Sequence, residues 1–428
     1  MVTLLAAAAV VAGGCTEKLD SGGACPALCP SQDVEIRDTT IDAVVSQDTS
    51  VVGFPIQGRE DYLLVAHRPD TLESWAVVRF DTLPTTYASP DSSRALVSVR
   101  NARLRLWIDT TGVRGNAAVV IRAYDVDTTT ANDTSLATLQ QLVRADRLIG
   151  TVTRNLADLK DTLIVPLSDS AVGTKTRDTT RLRILLKVES TGSAQLRFNA
   201  WDLGANTEPR VLFNPPADRD STDTVRTVTP SSATPASGEG ARSDEFIDYN
   251  VVARATPPFP VGTFGVGGMP GARAVLRFSI PPRFADSVTA IRATLVLTQL
   301  PAAGSVDPAD SVTLVPLISL AGSEILERDP MRAASLVSRV VYGTVDSVAV
   351  AGAKLPPGAS AERSFEMGQL LRYWRLLGGN QPRALVLQLQ PEGSTGAQLH
   401  FHSSESATVI ARPRLRIQYI SRVEFGLP

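Results

Sequence analysis

The sequence predicts an all-β protein made of two tandem antiparallel β-sandwich domains, the second with a short helix near 365–377. Three observations support this fold class. One stretch occurs twice, apolar residues alternate with polar ones along many short segments, and turns rich in Asp, Thr, Gly and Pro separate the segments. Many short strands joined by such turns, with little helix between them, are typical of a β-sandwich.

The duplicated stretch reads "AVVRFDTLP" at 76–84 and "AVLRFSIPP" at 274–282. Other matched pairs follow in the same order along the chain, including "TGSAQLRFNA" at 191–200 and "STGAQLHFHS" at 394–403. Matches that keep their order while the offset between them drifts indicate one unit copied twice, with changes in loop length. The sequence therefore predicts two copies of one domain rather than one large domain.

The segment between the copies is rich in Pro, Ser, Thr and Asp, which is the composition of a semi-extended linker. Apolar residues make up 43% of the chain, enough for each copy to bury a core. The predicted organisation is a signal peptide at 1–15, a linker at 16–33, domain 1 at 34–214, a second linker at 215–243, domain 2 at 244–420 and a tail at 421–428.

Within each copy the alternation has a period of two residues. In "NARLRLWID" one face of the predicted strand is apolar and carries Ala102, Leu104, Leu106 and Ile108. The other face carries Arg103, Arg105, Trp107 and Asp109. A strand with this pattern is buried on one side only.

Helical spacing occurs in "SFEMGQLLRYWRLLGGN", where apolar residues recur every three or four positions at Met367, Leu370, Leu371, Trp374 and Leu377. The Gly378–Gly379 pair that follows is suited to end a helix. A second short helix is expected at 136–147.

The first fifteen residues, "MVTLLAAAAVVAGGC", form a short apolar run that ends in small residues and Cys15. The run is too short to cross a bilayer, and it resembles a bacterial lipoprotein signal, in which the cysteine after the cleavage point is lipid-modified. Ala12 stands where such signals usually carry Leu, and no Lys or Arg precedes the run. An ordinary secretory signal is the alternative. Either signal predicts export. The lipoprotein signal further predicts attachment at the cell envelope or cell surface, with lipid on Cys15 as the only expected membrane anchor.

The remaining cysteines, Cys25 and Cys29, lie close together in "GGACPALCPS". In an exported protein this spacing predicts a small disulfide loop, with free thiols as the alternative. A zinc site would need two more ligands, and the three histidines of the chain are distant in sequence.

The charge balance excludes one class of partner. The chain carries 42 Lys and Arg against 44 Asp and Glu, a net charge of -2. Because this balance gives no positive field, nucleic-acid binding is not expected.

No catalytic constellation is recognised in the sequence. It contains no G-x-S-x-G, H-E-x-x-H or Walker motif, so no catalysis is predicted. His400 and His402 share one face of a predicted strand, and Glu405 follows, which makes a metal site conceivable. The preferred interpretation is a polar outer face opposite Leu399 and Phe401.

A structural calcium ion is conceivable at Asp125 and Asp127 in "YDVDTTT", because carboxylate oxygens are its usual ligands. Turns rich in Asp and Thr recur throughout the chain, so an ordinary turn is the preferred interpretation. No cofactor or other metal is predicted.

Three stretches of the second copy stand in a recognisable order: "AVLRFSIPPRFADSVTAIRATLVLTQLP" at 274–301, "FEMGQLLRYWRLLGGNQPRALVLQLQ" at 365–390 and "FHSSESATVIARPRLRIQY" at 401–419. Together they resemble the DNRLRE-domain family. The resemblance is weaker over 34–214, where the Trp-bearing helix is missing. It implies a jelly-roll-like sandwich of exported, often surface-attached bacterial proteins. Some relatives serve as carbohydrate-binding modules beside polysaccharide-degrading enzymes.

The pattern most informative about a ligand is the polar face of the first copy. Strand parity collects basic and aromatic side chains there, and the candidate ligand-binding residues are Arg103, Arg105, Trp107, Arg122, Tyr124, Arg197 and Trp201, with Arg183, Lys187 and Asn199 beside them. Such side chains stack on sugar rings and pair with carboxylates or sulfates. The alternative is that loops or a neighbouring layer cover this face, with Arg simply stacking on Trp.

The sequence thus predicts a non-catalytic exported lipoprotein that binds polysaccharide, an anionic one first of all, or mediates surface adhesion. A structural cell-envelope scaffold or spacer that docks other proteins is the first alternative. A hydrolase whose active site is dispersed beyond sequence recognition is the second.

Overall fold

The structure, a computed structural model, describes residues 36–42, 44–89, 92–115, 117–128, 135–204, 206–216, 225–232, 247–285, 288–302, 311–319, 337–338, 340–341, 348–376 and 383–421. Every strand ladder among these residues is antiparallel, as in the ladders that begin at Arg37, Leu148 and Val288. The all-β antiparallel fold class is therefore confirmed.

The described strands are numbered in chain order. The first fifteen are β1 (Arg37–Ile41), β2 (Val45–Phe54), β3 (Tyr62–Arg68), β4 (Leu72–Phe80), β5 (Thr86–Ser89), β6 (Ser92–Ala95), β7 (Arg100–Trp107), β8 (Arg114–Gly115), β9 (Ala118–Asp125), β10 (Leu148–Asn155), β11 (Thr162–Pro166), β12 (Leu182–Ser190), β13 (Ala194–Asn199), β14 (Arg210–Asn214) and β15 (Arg226–Val228). The others are β16 (Asp248–Arg254), β17 (Thr263–Gly267), β18 (Gly271–Phe278), β19 (Val288–Leu300), β20 (Val312–Ser319), β21 (Val337–Ser338), β22 (Val340–Val341), β23 (Val348–Ala349), β24 (Ala353–Leu355), β25 (Ala361–Glu366), β26 (Ala384–Gln390), β27 (Gln398–His402) and β28 (Arg414–Ser421).

The α-helices of the described residues are short, and they are α1 (Leu136–Leu142), α2 (Asp169–Arg177), α3 (Pro282–Ala285) and α4 (Gly368–Leu376). Helix α4 confirms the helix predicted near 365–377, and α1 lies where the second short helix was expected. None of the helices in this part of the chain is both long and apolar enough to span a membrane.

The first sandwich packs an eight-stranded sheet against a four-stranded one. The larger sheet has the order β10-β9-β12-β4-β3-β13-β8, with β16 also paired to β4, and the smaller sheet has the order β11-β7-β14-β15. Their facing side chains form one apolar core, in which Leu104 of β7 and Phe198 of β13 are fully buried. The alternation predicted for β7 is confirmed, because Ala102, Leu104 and Leu106 are buried while the residues between them are partly exposed.

The second sandwich is a single twelve-stranded sheet that curls on itself, in the order β1-β28-β19-β27-β17-β18-β26-β20-β21 with β2, β24 and β25 paired at its sides. Leu295 of β19 and Leu415 of β28 share a core with Leu276 of β18. Helix α4 packs into this core through Trp374, whose ring centroid lies 5.3 Å from that of Phe278.

Strands are exchanged between the two sandwiches. Strand β2 pairs with β18, where Thr49 lies opposite Val275. Strand β16 pairs with β4, where Tyr249 lies opposite Val77. "AVVRF" in β4 and "AVLRF" in β18 are the matched stretches of the repeat. An early strand of each copy, β2 in the first and β16 in the second, therefore lies beside the matched strand of the other copy. This strand exchange crosses the predicted domain boundaries in both directions; the boundaries themselves stay a prediction.

Glycines permit the close approach of β2 to the second sandwich. A Cβ on Gly271 would lie 2.3 Å from the carbonyl oxygen of Phe54, well inside contact distance. Gly393 has a φ of +61°, and a Cβ there would lie 2.1 Å from Cδ of Pro55. Because larger residues do not fit at either position, these glycines fix where β2 ends.

The eight-stranded sheet is also covered on its outer face. Helix α1 places Leu139 over a second apolar cluster, which contains Trp75, Tyr124, Leu185 and Tyr249. The sheet is therefore buried on both sides here, unlike the four-stranded sheet, whose outer face is partly open.

Candidate functional site

The outward side chains of β7 lie on the outer face of the four-stranded sheet. They are Arg103, Arg105 and Trp107, all partly exposed. Strand β14 lies beside β7 and places Arg210 opposite Arg105. Directly opposite residues point to the same side of a sheet, so these four side chains share one surface, which we call the arginine face.

The indole of Trp107 supports two guanidinium groups. The guanidinium carbon of Arg105 lies 4.4 Å from the ring centroid, and that of Arg210 lies 5.3 Å from it. Both distances are within the range of a cation–π contact. Arg210 also pairs with Glu208 at 2.7 Å. The ring thus holds two positive groups close together on the sheet surface.

Positive charge accumulates on the arginine face. Partial burial and the neighbouring guanidiniums of Arg210 and Arg103 lower the pKa of Arg105 from its ordinary value. The Nε atom of Arg105 is buried and has no hydrogen-bond partner among the described residues. Three guanidiniums with Glu208 as their acidic neighbour form a surface whose charge an anion would balance.

Two of the predicted binding residues lie in the other sheet. Arg122 of β9 donates from Nε to Oε2 of Glu189 at 2.9 Å. Tyr124, two residues on, is 6% exposed and belongs to the cluster beneath α1. The sequence indicated the correct parity within β9 but not the sheet that β9 joins.

Arg197 of β13, in the same eight-stranded sheet, and Trp201, which follows that strand, also lie apart from the arginine face. Arg197 is buried, donates from Nε to Oδ2 of Asp109 at 2.7 Å, and lies over the ring of Tyr62 at 4.8 Å. Trp201 is 37% exposed, and its backbone N–H donates to Oδ2 of Asp248 at 2.7 Å. The prediction of one continuous polar face is therefore wrong: of the seven residues, Arg103, Arg105 and Trp107 come together.

The three residues predicted beside that face are also dispersed. Arg183 is 3% exposed and paired with Asp81, Lys187 lies 5.7 Å from the ring centroid of Trp75, and Asn199 donates to Oγ1 of Thr207 at 2.8 Å. These contacts are structural, since each side chain has a partner within its own sheet or turn.

The two aspartates considered for calcium are held by basic side chains. Lys175 of α2 lies 3.0 Å from Asp125 and 3.1 Å from Asp127. Arg181 lies 3.1 Å from Asp127, and Arg147 lies 3.7 Å from Asp125. Three cations around two carboxylates leave no negative charge in excess, so the arrangement does not fit a cation site.

The histidines of β27 are occupied by local contacts. His400 is 4% exposed, its ring meets that of Phe259 edge-on at 5.3 Å, and burial lowers its pKa. The Nδ1 atom of His402 lies 2.8 Å from Oγ of Ser406. Within the described ranges, no three His, Cys, Asp or Glu side chains lie close enough together to hold a metal ion.

Cys15, Cys25 and Cys29 lie outside the described residues. The predicted lipid site and disulfide therefore stay predictions.

Two features were missed by reasoning from the sequence. Arg210 completes the arginine face, but its strand does not alternate clearly, because Val211, Leu212 and Phe213 are all buried.

Glu60 is a buried carboxyl group whose pKa burial raises to about 7. Its Oε2 accepts from the backbone N–H of Gly58 at 2.6 Å. A lone glutamate before a strand carries no signal of burial in the sequence.

The comparison with protein-family models gives no match, and the comparison with curated proteins gives none either. Among solved structures, the chain is similar to the VP2 subviral particle of infectious bursal disease virus, with 13% identity, 92% of this chain and 79% of that chain covered, and a TM-score of 0.16. It is also similar to the C-terminal domain of the antigen I/II-family protein AspA of Streptococcus pyogenes, with 11% identity, coverage of 90% and 92%, and a TM-score of 0.17. TM-scores this low support no conclusion about function.

Proposed function

We propose that the chain is a non-catalytic binding protein that takes an anionic polysaccharide on the arginine face. The observation that carries this proposal is the contact of Arg105 and Arg210 with Trp107, with Arg103 on the same partly open sheet surface. Guanidinium groups bind carboxylates and sulfates through paired hydrogen bonds, and they do so best where their own side chains are already held in place.

The spacing of the three guanidiniums supports a repeating ligand. Arg103 and Arg105 are two positions apart on β7, which separates their Cα atoms by about 7 Å along the strand. Arg210 lies across the strand pair from Arg105, at a Cβ separation of about 5 Å. A linear chain with an acidic group on successive sugar units presents charges in series, and such a ligand meets several guanidiniums at once.

Trp107 has a supporting part in this proposal. One side of its ring is in contact with the guanidinium of Arg105. The indole therefore fixes the position of that guanidinium, and its contribution to binding is mainly the positioning of Arg105. Each contact of this type contributes about 0.5–1 kcal/mol at an exposed site, so we expect affinities in the millimolar to high micromolar range.

The test uses a soluble chain that begins at residue 16, titrated against polygalacturonate, heparin and neutral dextran. We expect binding to an acidic polymer that weakens as salt rises, and a loss of about tenfold in affinity for Arg105→Gln/Arg210→Gln, because two charge-assisted contacts are removed. Trp107→Ala should give a smaller loss. Arg154→Gln is the matched control, because Arg154 is an exposed arginine on the other sheet of the same sandwich.

Equal binding by the double variant and the parent would remove the arginine face from the proposal. Absence of binding to every acidic polymer would leave the second candidate, a cell-envelope scaffold. The strand exchange favours that candidate, because two sandwiches that share strands form a stiff spacer. Export and a lipid anchor at Cys15 belong to both candidates, as does the resemblance to the DNRLRE-domain family.

A further inference from the structure

Each half of the chain supplies strands that complete the sandwich of the other half. The first half, residues 36–232, places β1 and β2 in the second sandwich, where Val44 and Val45 join its core. The second half, residues 247–421, places β16 in the first sandwich, where Tyr249 is buried. A half without its partner would expose sheet edges and the apolar side chains beneath them. The pairing surface of each half is therefore complementary to the other half.

Polar contacts fix the register between the halves. The side chain of Asn250, on β16, accepts from the backbone N–H of Leu64 at 2.7 Å and donates to the carbonyl oxygen of Tyr62 at 3.1 Å. In the second sandwich, Oδ2 of Asp48 accepts from the backbone N–H of Ser404 at 2.6 Å. Because a buried polar group that loses its partner is unfavourable, these bonds favour one register and one partner surface.

The connection between the halves begins and ends beside one residue. The backbone carbonyl of Arg79, on β4, accepts from the N–H of Ser231 at 2.9 Å, and the N–H of Arg79 donates to the carbonyl oxygen of Ile247 at 2.9 Å. The N–H and C=O groups of one strand residue point to the same edge of the strand, so Ser231 and Ile247 lie at neighbouring places. Residues 233–246, between them, can reach up to about 45 Å when extended. The connection is therefore long enough to lead to a second copy of the chain as well as back to its own first half.

We propose that two copies of this chain form a dimer by exchanging halves. The first half of one copy pairs with the second half of its partner, and the reverse pairing completes the dimer. The strand ladders between the halves are then made between two copies instead of within one, so the dimer and the single chain contain the same ladders. The partner is a second copy of this chain, and the surface it binds is the pairing surface of the halves.

The concentration of the chain decides between the two forms, because their contacts are the same. Two halves joined by a linker of this length meet at an effective concentration of about a millimolar. A half of another copy competes as the concentration of the chain approaches that value. Once made, either form persists, because separation of the halves breaks the β1–β28, β2–β18 and β4–β16 ladders together. The choice is therefore made while the chain folds.

The test uses two versions of the chain that begins at residue 16, one with a tag at its beginning and the other with a different tag at its end. Both carry a protease site between residues 233 and 246. The two versions are unfolded and refolded together at about 1 µM and at about 500 µM, far below and near the effective concentration. We expect light scattering after dilution to show a dimer fraction from the higher concentration and single chains from the lower. Cutting the linkers should convert the dimer into particles of single-chain size, some of which carry both tags.

A particle of single-chain size with both tags contains halves of two copies, which association through any other surface does not produce. The control is the two versions refolded separately, cut and then mixed, which should give no such particle. Co-expression of the two versions in one cell gives the same measurement without unfolding. A dimer that keeps its size after cutting, or no dimer after refolding at the higher concentration, would overturn the proposal.

A longer linker gives an independent measurement. When residues 233–246 are present twice in tandem, the effective concentration of the halves falls roughly as the −3/2 power of linker length, so the dimer should appear at about threefold lower concentration. An unchanged concentration dependence would contradict the exchange of halves. The dimer is measured without ligand, so this proposal and the polysaccharide proposal fail or succeed separately.

Discussion

Thr49 lies opposite Val275, so a strand from the beginning of the chain completes the sheet of the second sandwich. Strand β16 of the second copy pairs in the first sandwich, where its Tyr249 lies opposite Val77. The hydroxyl of Ser50 reinforces the first pairing, because it donates to the carbonyl oxygen of Gly265 at 2.9 Å. Each sandwich therefore contains a strand that the other copy supplies.

The exchange predicts that the two halves stay together after the chain is cut. A protease site introduced between residues 233 and 246 separates the halves in sequence, yet β2 and β16 still pair across them. We expect the cut protein to elute as one species in size-exclusion chromatography under native conditions and to separate in denaturant. Two folded pieces that part without denaturant would contradict this pairing.

Glu60 predicts a loss of stability with rising pH. Burial raises the pKa of Glu60 from 4.5 to about 7. The folded state therefore retains a proton that the unfolded state releases, so the stabilisation is complete below about pH 4.5 and is lost as pH rises through 7. We expect the free energy of unfolding to fall by up to ~3 kcal/mol across this window, and Glu60→Gln to remove that part of the fall.

The measurement for Glu60 is urea unfolding at a series of pH values. Asp178→Asn is the control, because Asp178 is exposed and its hydrogen bond to Arg177 lowers its pKa, which keeps its titration below the window. If the free energy of unfolding of Glu60→Gln fell with pH by as much as that of the parent, the buried carboxyl group would not be the source of the pH dependence.

The ion pair of Asp81 and Arg183 predicts a large effect from one substitution. Arg183 donates to both carboxylate oxygens at 2.9 and 2.8 Å, and the two side chains are 0% and 3% exposed. Asp81→Ala leaves a buried guanidinium without its main partner, so we expect a loss of about 3–5 kcal/mol in unfolding free energy. Asp81→Leu/Arg183→Met should recover much of it, as measured by denaturant unfolding. A double variant less stable than Asp81→Ala would argue against this account.

Trp374 predicts a cavity effect in the second sandwich. The side chain is 2% exposed and contacts Phe278. Trp374→Ala should reduce the free energy of unfolding by about 3–5 kcal/mol, because the surrounding core collapses only in part. Leu376→Ala on the same helix is the control, since Leu376 is 80% exposed. Similar losses in both variants would mean that α4 does not pack as described.

The features that sequence reasoning predicted are those that depend on near neighbours. The period of two placed Leu104 and Leu106 inward and Arg105 outward, because alternation needs only the pleat of one strand. The helical spacing of Leu370 and Trp374 placed both in the core, because one turn of helix determines which residues share a face. Leu377 lies outside the described residues.

The features that it missed depend on distant neighbours. Strand parity predicts that Trp107 and Tyr124 both point away from the core, but it does not predict that β7 and β9 lie in different sheets. It also does not say that α1 covers Tyr124 through Leu139. The strand exchange is hidden for the same reason, since a strand carries no mark of whether its partner is its own copy or the other one.

The exchange also sets a delay during synthesis. Ser50 emerges 215 residues before Gly265, the residue whose backbone it bonds. At about 5–20 residues per second, the strand that holds Ser50 waits roughly 10–40 s for its partner to be made. Through that interval its backbone N–H and C=O groups are an open edge, and the polar residues around it, Gln47, Asp48 and Ser50, keep that edge in water.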